Sequence, residues 1–207
     1  MKLYIFRCLF DFLGIFQHTR AFHKKVPIIG FSGKIGSGKS KLAKILKDHY
    51  GYQKLSFGDG VRQVFCTITG IPVQYTRSPV QKNTILKNWD MTVGEMLQKI
   101  GTEMGRQVHK DVWVLKAFSE YEPGYDLIVF DDVRFPNEKE AIERRGGIVV
   151  RLEGDPSSIR KNDTRDHLHP SETSLDEEKF EIILDTNKYS PEKCIVKIMK
   201  YIKKKHK

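Results

Sequence analysis

The stretch that decides the fold lies early in a chain of 207 residues. It reads Gly33-Lys34-Ile35-Gly36-Ser37-Gly38-Lys39-Ser40 and matches the phosphate-binding loop G-x-x-x-x-G-K-[ST]. Glycines without a Cβ let backbone N–H groups curve around phosphates, and a helix start adds its positive dipole end. We therefore predict that residues 33–40 bind ATP. Lys39 is expected to reach the β- and γ-phosphates and the Ser40 hydroxyl to hold Mg²⁺.

The loop stands between an apolar run and a helical pattern, and this alternation continues along the chain. The strands predicted from it are Val26–Phe31, Gln53–Phe57, Leu127–Phe130, Gly147–Leu152 and Ile182–Leu184. The predicted helices are Ser40–His49, two or three between about Gly60 and Tyr121, Asn137–Arg145 and a terminal one. This order predicts an α/β fold, in which a parallel five-stranded sheet is flanked by helices in three layers. Ligands are expected at the carboxyl ends of the strands.

Composition indicates a single domain with a basic surface. The chain is 39% hydrophobic and 30% charged, with a net charge of +10. Seven lysines lie between Lys193 and Lys207, and apolar residues recur among them at helical spacing. A docked terminal helix with a solvated lysine face is expected, and a nucleic-acid or membrane patch is the alternative. Three widely spaced cysteines favour a reducing, cytoplasmic compartment.

Residues 1–25 are rich in Leu, Ile and Phe but are interrupted by charges. No uncharged stretch approaches the ~20 residues that span a bilayer, so no transmembrane segment is expected. We interpret these residues as an amphipathic extension packed on a domain that covers residues 26–207. Membrane association, targeting, or translation upstream of the real start are the alternatives.

The remaining motifs separate the classes of phosphate-loop protein. A switch GTPase needs D-x-x-G and N-K-x-D, whereas this chain has Asp131-Asp132-Val133-Arg134 and Asn187-Lys188-Tyr189-Ser190. A helicase or motor needs more chain for a second lobe. A compact kinase remains, with its acceptor site in the middle of the chain.

The middle of the chain contains a helix with one polar face. Thr92-Val93-Gly94-Glu95 is a capping box that opens this helix. Gln98, Thr102 and Arg106 follow on the polar face. These side chains suit hydrogen bonding to a base and pairing with a phosphate. A solvated surface helix would show the same pattern, so the spacing leaves both readings open.

Carboxylates at the end of a buried strand beside a phosphate loop suit Mg²⁺. The Leu127–Phe130 strand runs into Asp131 and Asp132, whose side chains point opposite ways, so which of the two holds the metal stays open. Arg134 should point to the same side as Asp132, and its planar fork suits a phosphate. The alternative is a helix cap with a surface ion pair.

Three strings carry a resemblance to a known family. They are D-V-R-F-P-N-E at 132–138, L-Q-K-I-G-T-E-M-G-R at 97–106 followed by Asp111-Val112-Trp113, and H-P-S-E-T at 169–173. With them, residues 26–187 resemble the phage-type deoxynucleoside monophosphate kinases. The resemblance implies Mg²⁺-dependent transfer of the γ-phosphoryl group of ATP to a deoxynucleoside monophosphate. The diphosphate formed would feed deoxynucleoside triphosphate supply.

The resemblance also implies roles for individual residues. Trp113 is implied to stack on the base, or else to be a core tryptophan. The acceptor-site residues so implied are Gln98, Gly101, Thr102 and Trp113, with Arg106 from the polar face and with Phe57, Asp59 and Arg62 beside the second strand. The catalytic residues are Lys39, Asp132, Arg134 and Glu138, and the metal ligands are Ser40 and Asp132.

A small lid is expected at about residues 154–172, where Arg160 and Arg165 would contact ATP. Loop solubility is the alternative role for these two arginines. The expected partners are ATP and the deoxynucleoside monophosphate, with no specific nucleic acid, and a homodimer is left open. The rival functions are a kinase of another small acceptor, such as dephospho-coenzyme A, and a nucleotide-binding protein without transfer activity.

Overall fold

A computed structural model describes residues 28–121, 127–154 and 168–205. Its main sheet has five parallel strands in the order β2-β5-β1-β6-β7. The strands are β1 Ile28–Ser32, β2 Gln53–Leu55, β3 Ile85–Leu86, β4 Met91–Thr92, β5 Ile128–Phe130, β6 Ile148–Glu153 and β7 Ile182–Asp185. The predicted α/β architecture is confirmed.

Helices cover both faces of this sheet. They are α1 Lys39–Tyr50, α2 Gly58–Thr69, α3 Pro79–Lys82, α4 Val93–Gln98, α5 Gly105–Val108, α6 Val112–Ser119, α7 Pro136–Glu143, α8 Pro170–Thr173 and α9 Pro191–Lys205. Short 3₁₀ turns lie at Val73–Thr76 and Lys87–Trp89. A π-helical segment, Lys99–Met104, joins α4 to α5, so one wide turn interrupts the helix along the polar row.

The core is divided between the two faces of the sheet. On one face α1 and α9 bury residues such as Leu46 and Ile198 against Phe31. On the other face α2, α6 and α7 bury Phe65, Trp113 and Ile142. Each fully buried Leu, Ile or Phe side chain stabilises the fold by about 1.5–3 kcal/mol. Because β1 lies between β5 and β6, all five of its residues are buried.

The region between α2 and α4 differs from the sequence prediction. The second strand ends at Leu55 rather than Phe57, because Phe57 is the buried N-cap residue of α2. The antiparallel pair β3–β4 was not predicted. Each of its strands has two residues, too few to show an alternating pattern, and Asp90 between them takes a left-handed φ of 47°.

The terminal helix α9 buries Cys194, Ile195, Ile198 and Ile202 and turns its lysines outward. Within the described ranges no helix has both the length and the apolar character needed to cross a bilayer. The extension at residues 1–25, Arg160, Arg165 and most of the expected lid lie outside the described residues.

Two glycines four residues apart, one in the π-helical segment and one in α5, should respond differently to substitution. A Cβ on Gly105 would lie 2.2 Å from Cζ2 of the buried Trp113, whereas a Cβ on Gly101 would meet nothing closer than Val61 at 3.4 Å. We expect Gly105→Ala to lower the free energy of unfolding by about 1–3 kcal/mol because the indole must move. Gly101→Ala should leave it unchanged or raise it by up to about 1 kcal/mol. Urea unfolding of both variants measures this, and equal losses would contradict the packing described.

Candidate active site

The phosphate-binding loop connects β1 to α1 and is shaped by its glycines. Gly33, Gly36 and Gly38 have φ values of 144°, 81° and 90°. A Cβ on Gly33 would lie 2.4 Å from the backbone oxygen of Leu152 in β6. Position 33 therefore requires glycine for both space and conformation. The N-terminus of α1 follows at once, so free N–H groups and the positive dipole end face the loop.

Lys39 lies within this loop. Its Nζ donates to the backbone oxygens of Gly33 and Lys34, each at 2.7 Å. Burial, reinforced by the nearby Arg134 guanidinium, lowers the pKa of Lys39 to about 7, whereas Glu172 acts to raise it. Lys39, Arg134 and Glu172 thus lie within electrostatic range of one another. An ammonium with little solvent around it is well placed to meet a polyphosphate.

A cavity of about 150 Å³ adjoins the carboxyl end of β5 on the side of α2 and α4. It brings together most of the predicted acceptor and catalytic residues. Those lining it are Phe57, Arg62, Gln98, Gly101, Thr102, Arg106, Trp113, Asp132, Arg134 and Glu138. Asp59 is not among them. It pairs with Arg62 at 2.6 Å, which does line the cavity, and with Arg77 at 3.0 Å.

Gly58, next to Phe57, also lines the cavity, as expected for the segment after the second strand. Other residues in the cavity wall were not predicted from the sequence. They are Val61, Lys82, Gly94, Leu97, Phe135, Ser171 and Glu172. Ser171 and Glu172 belong to the H-P-S-E-T string, which is part of the family resemblance but predicts no role for either residue. Lys82 lies in the four-residue helix α3, for which no sequence signal was read.

Asp132 is held by three donors at the start of α2. Ser56 Oγ donates to it at 2.5 Å, and the backbone N–H groups of Phe57 and Gly58 donate at 3.0 and 2.8 Å. Burial, together with the charge of Asp131, raises the pKa of Asp132. Asp131 points the other way and pairs with Lys54 at 2.7 Å. The opposite orientation expected for the two carboxylates is therefore observed.

Arg106 and Glu138 form an ion pair in the cavity wall. Arg106 Nη2 donates to Glu138 Oε1 at 2.6 Å, and its guanidinium lies 3.6 Å from the ring centre of Phe135. Glu138 also accepts from the backbone N–H groups of Arg134 at 2.7 Å and Phe135 at 3.1 Å. Burial raises the pKa of Glu138 to about 7, although Arg106 and these N–H groups act to lower it. This pair fixes the N-terminus of α7.

Arg134 has a different partner. Its Nη1 donates to the carboxylate of Glu172 and, at 2.9 Å, to the backbone oxygen of Ser171. Lys34 of the phosphate loop donates to the backbone oxygen of Glu172 at 2.6 Å and to Asp176 at 2.5 Å. The segment around α8 therefore bridges the phosphate loop and the cavity beside β5.

Trp113 is mostly a core residue. Its side chain is packed against Gly60 and Gly105, and only 6% of the residue is exposed. The indole Nε1 donates to the backbone oxygen of Gly101 at 2.7 Å. One edge of the ring still reaches the cavity wall. Trp113 therefore positions the helix that carries Gln98 and Thr102.

A second cavity of about 450 Å³ lies on the other side of the loop, at the ends of β6 and β7. Its lining residues are Lys34, Arg151, Leu152, Glu153, Gly154, Asp185 and Asn187. Thr186 between the last two donates its hydroxyl to the backbone oxygen of Ser37 at 3.1 Å. Of this group only Lys34 was predicted from the sequence as a ligand-binding residue.

Oxygen donors for a hard cation are present at the loop. They are the Ser40 hydroxyl at the start of α1 and the carboxylates that follow β5. In the part of the chain that the structure describes, no three His, Cys, Asp or Glu side chains cluster as metal ligands do. Mg²⁺ needs no such cluster, since it binds through one or two protein oxygens, phosphates and water. The donor set fits Mg²⁺ held mainly by a nucleotide.

The chain is similar to a protein of Acanthamoeba polyphaga mimivirus that is named "Putative deoxynucleotide monophosphate kinase". The two are 30% identical over 177 residues, which cover 78% of this chain and 89% of that protein. Shikimate kinase from Acinetobacter baumannii, in complex with shikimate, aligns with 89% of this chain and 96% of its own. Its TM-score is 0.50 at 19% identity, which shows a shared fold. Dephospho-CoA kinase from Campylobacter jejuni gives a TM-score of 0.47 at 14% identity, covering 87% of this chain and 99% of that chain. No protein-family profile matches.

The buried Arg106–Glu138 pair predicts a pH-dependent loss of stability. Arg106→Met would leave the Glu138 carboxyl buried without its cation and raise its pKa further above the unfolded value of 4.5. The folded state would then hold a proton that the unfolded chain releases, so the free energy of unfolding falls as pH rises above about 4.5. Because the pKa of Glu138 is already about 7 with Arg106 present, the variant and the wild type diverge only above that pH. Relative to the wild type, we expect a small extra loss at pH 5 and about 2–3 kcal/mol at pH 9. Urea unfolding at both pH values measures it.

Arg144→Met is the matched control. Arg144 pairs with Glu140 on the exposed side of α7, where the side chains are 73% and 56% accessible. Its loss should cost under about 1 kcal/mol at either pH. A loss in Arg106→Met that did not grow with pH would mean that the cation does not hold Glu138 ionised.

Proposed function

Since this chain belongs to the deoxynucleotide monophosphate kinase family of phosphate-loop kinases, we propose that it transfers the γ-phosphoryl group of ATP to a deoxynucleoside monophosphate. The chain is a phosphotransferase by its relative and its fold. One observation supports the finer proposal. A cavity lined by arginines and amide or hydroxyl side chains lies beside the phosphate loop. Arg134 in the cavity wall and Lys39 in the loop are close enough to interact electrostatically.

The donor would bind with its β- and γ-phosphates in the loop formed by residues 33–40. Lys39 neutralises charge there, and Mg²⁺ supplies further neutralisation of the phosphate oxygens when it is bound by the nucleotide and Ser40. Asp132 is already held by Ser56 and two N–H groups. We therefore assign it to the outer coordination sphere. The cavity at Gly154, Asp185 and Asn187 is the place for the donor nucleoside.

The acceptor would bind in the smaller cavity. Gln98 and Thr102 offer an amide and a hydroxyl to a base edge, which is the pairing that bases favour. Arg62 and Arg134 are the cations for its phosphate, and Asp59 holds Arg62 in position. Arg106 is committed to Glu138 and Asn137, so it stabilises the wall of the cavity and is not assigned to a phosphate.

Phosphoryl transfer in this arrangement requires no covalent intermediate with the protein. The two phosphate groups would meet at the end of β5, between Lys39 and Arg134. Positioning and charge neutralisation then supply most of the acceleration. Arg160 and Arg165, outside the described residues, remain the proposed lid arginines.

The function is tested by incubating the protein with labelled ATP, Mg²⁺ and a panel of acceptors. The panel contains the four deoxynucleoside monophosphates, their ribonucleotides and dephospho-coenzyme A. Deoxynucleoside diphosphate product is expected. Product from dephospho-coenzyme A alone would assign a different kinase, and binding of ATP without any product would assign a nucleotide-binding protein.

Arg134→Ala should lower turnover by about 10³-fold or more, because an arginine on the migrating phosphoryl group contributes 10³–10⁵ in rate. Steady-state kinetics with a saturating acceptor measure this loss. Arg144→Ala, an equal change on the exposed side of α7, should leave turnover within about twofold. A loss of less than tenfold in Arg134→Ala would remove Arg134 from the reaction.

A further inference from the structure

Two arginine–glutamate pairs line the acceptor cavity, and they are built differently. Glu138 is held by the Arg106 guanidinium and two backbone N–H groups at the start of the eight-residue helix α7. This carboxylate is fixed from three directions. Glu172 is equally buried, with 4% of its side chain accessible, but its contact is with Arg134. Arg134 itself remains 27% accessible and faces the cavity.

The segment that carries Glu172 is attached mainly by ion pairs at the surface. Helix α8 has only four residues. Asp176 beyond it pairs with Lys34 and Arg151, and 34% of the Asp176 side chain is accessible. Leu175 anchors the segment in the core, so the backbone is held by a contact separate from the one that the Glu172 side chain makes with Arg134. Displacing this carboxylate breaks its pairing with Arg134, whereas displacing Glu138 would break its pairing with Arg106 and two backbone N–H contacts.

We propose that Glu172 is a positioning residue that occupies, on Arg134, the place of a ligand phosphate and is exchanged against it when the phosphate arrives. This inference rests on the proposed function only in taking that phosphate to be the acceptor's. The carboxylate presents oxygens to the guanidinium as a phosphate does. Together with Asp132, it also offsets the repulsion between Arg134 and Lys39.

The exchange favours phosphate because of charge. A phosphate monoester has a second pKa of about 6 and is close to a dianion at pH 7.5. It brings about twice the charge of the carboxylate and a third oxygen, so it gains more on Arg134 than Glu172 loses. The carboxylate returns to Arg134 when the phosphate leaves. Because the phosphate must displace the Glu172 carboxylate, the phosphate contributes less to the affinity of the ligand than it would on a free Arg134.

The test compares what the phosphate contributes to affinity with and without this carboxylate. Thymidine and thymidine 5′-monophosphate are titrated into the full chain by calorimetry at pH 7.5, and the ratio of their dissociation constants isolates the phosphate. Glu172→Gln should raise this ratio about tenfold, the factor equivalent to one charge-assisted hydrogen bond. A carboxylate that only held Arg134 in a productive position would give the opposite sign, so an unchanged or lower ratio overturns the proposal.

Asp176→Asn is the matched control, since it releases Lys34 and Arg151 from the same segment without touching Arg134. It should change the ratio less than twofold. An equal rise in both variants would assign the effect to loosening of the segment and overturn the exchange. Thermal unfolding shows whether Glu172→Gln is folded. Glu172→Asp, which keeps the charge but is one methylene shorter, should give an intermediate ratio.

Inorganic phosphate separates this inference from the proposed function. Its affinity should rise about tenfold in Glu172→Gln, whatever acceptor the protein uses. A rise with phosphate and no deoxynucleoside diphosphate product in the acceptor panel would reject the function and keep the exchange. Formation of deoxynucleoside diphosphate with no rise in phosphate affinity would support the function and overturn the exchange.

Discussion

The backbone oxygen of Leu152 lies where any side chain at position 33 would have to be placed. This close approach sets the path of the chain out of β1, since only glycine passes the end of β6 at that distance and with that φ. The turn then delivers Lys39 and the N-terminus of α1 to one point. Because β1 is the central strand, the ends of β5 and β6 meet the same point from its two sides. The two cavities follow from this arrangement.

The charges at the site are arranged in pairs. Arg62 has Asp59, Arg106 has Glu138 and Arg134 has Glu172. A buried cation without a partner is costly, and each of these arginines is paired with a carboxylate of the same chain. The pairs differ in how firmly each carboxylate is held. That difference separates cations that build the wall from cations that are available to a ligand.

Structural features that depend on neighbouring residues could be predicted from the sequence. The phosphate loop, the capping box at Thr92 and the five strands depend on residue types at short spacing, and these are visible in one chain. Contacts between distant residues were not visible. Glu172 meets Arg134 across 38 positions, and Asp132 caps α2 from 74 positions away. The pairing of Arg106 with Glu138, which joins two helices, was also not visible in the sequence. The β3–β4 pair was not predicted because a strand of two residues is too short to show the alternation of apolar and polar residues.

The π-helical segment Lys99–Met104 has a consequence for the polar row on this helix. In a regular α-helix, side chains four residues apart drift around the axis by about 40° at each step, because there are 3.6 residues per turn. A wider turn absorbs this drift and keeps Gln98, Thr102 and Arg106 on one line along the cavity wall. The π-helical turn thus sets which side chains of the helix face the cavity. One helix thereby presents an amide and a hydroxyl at its upstream end and an ion pair at its downstream end.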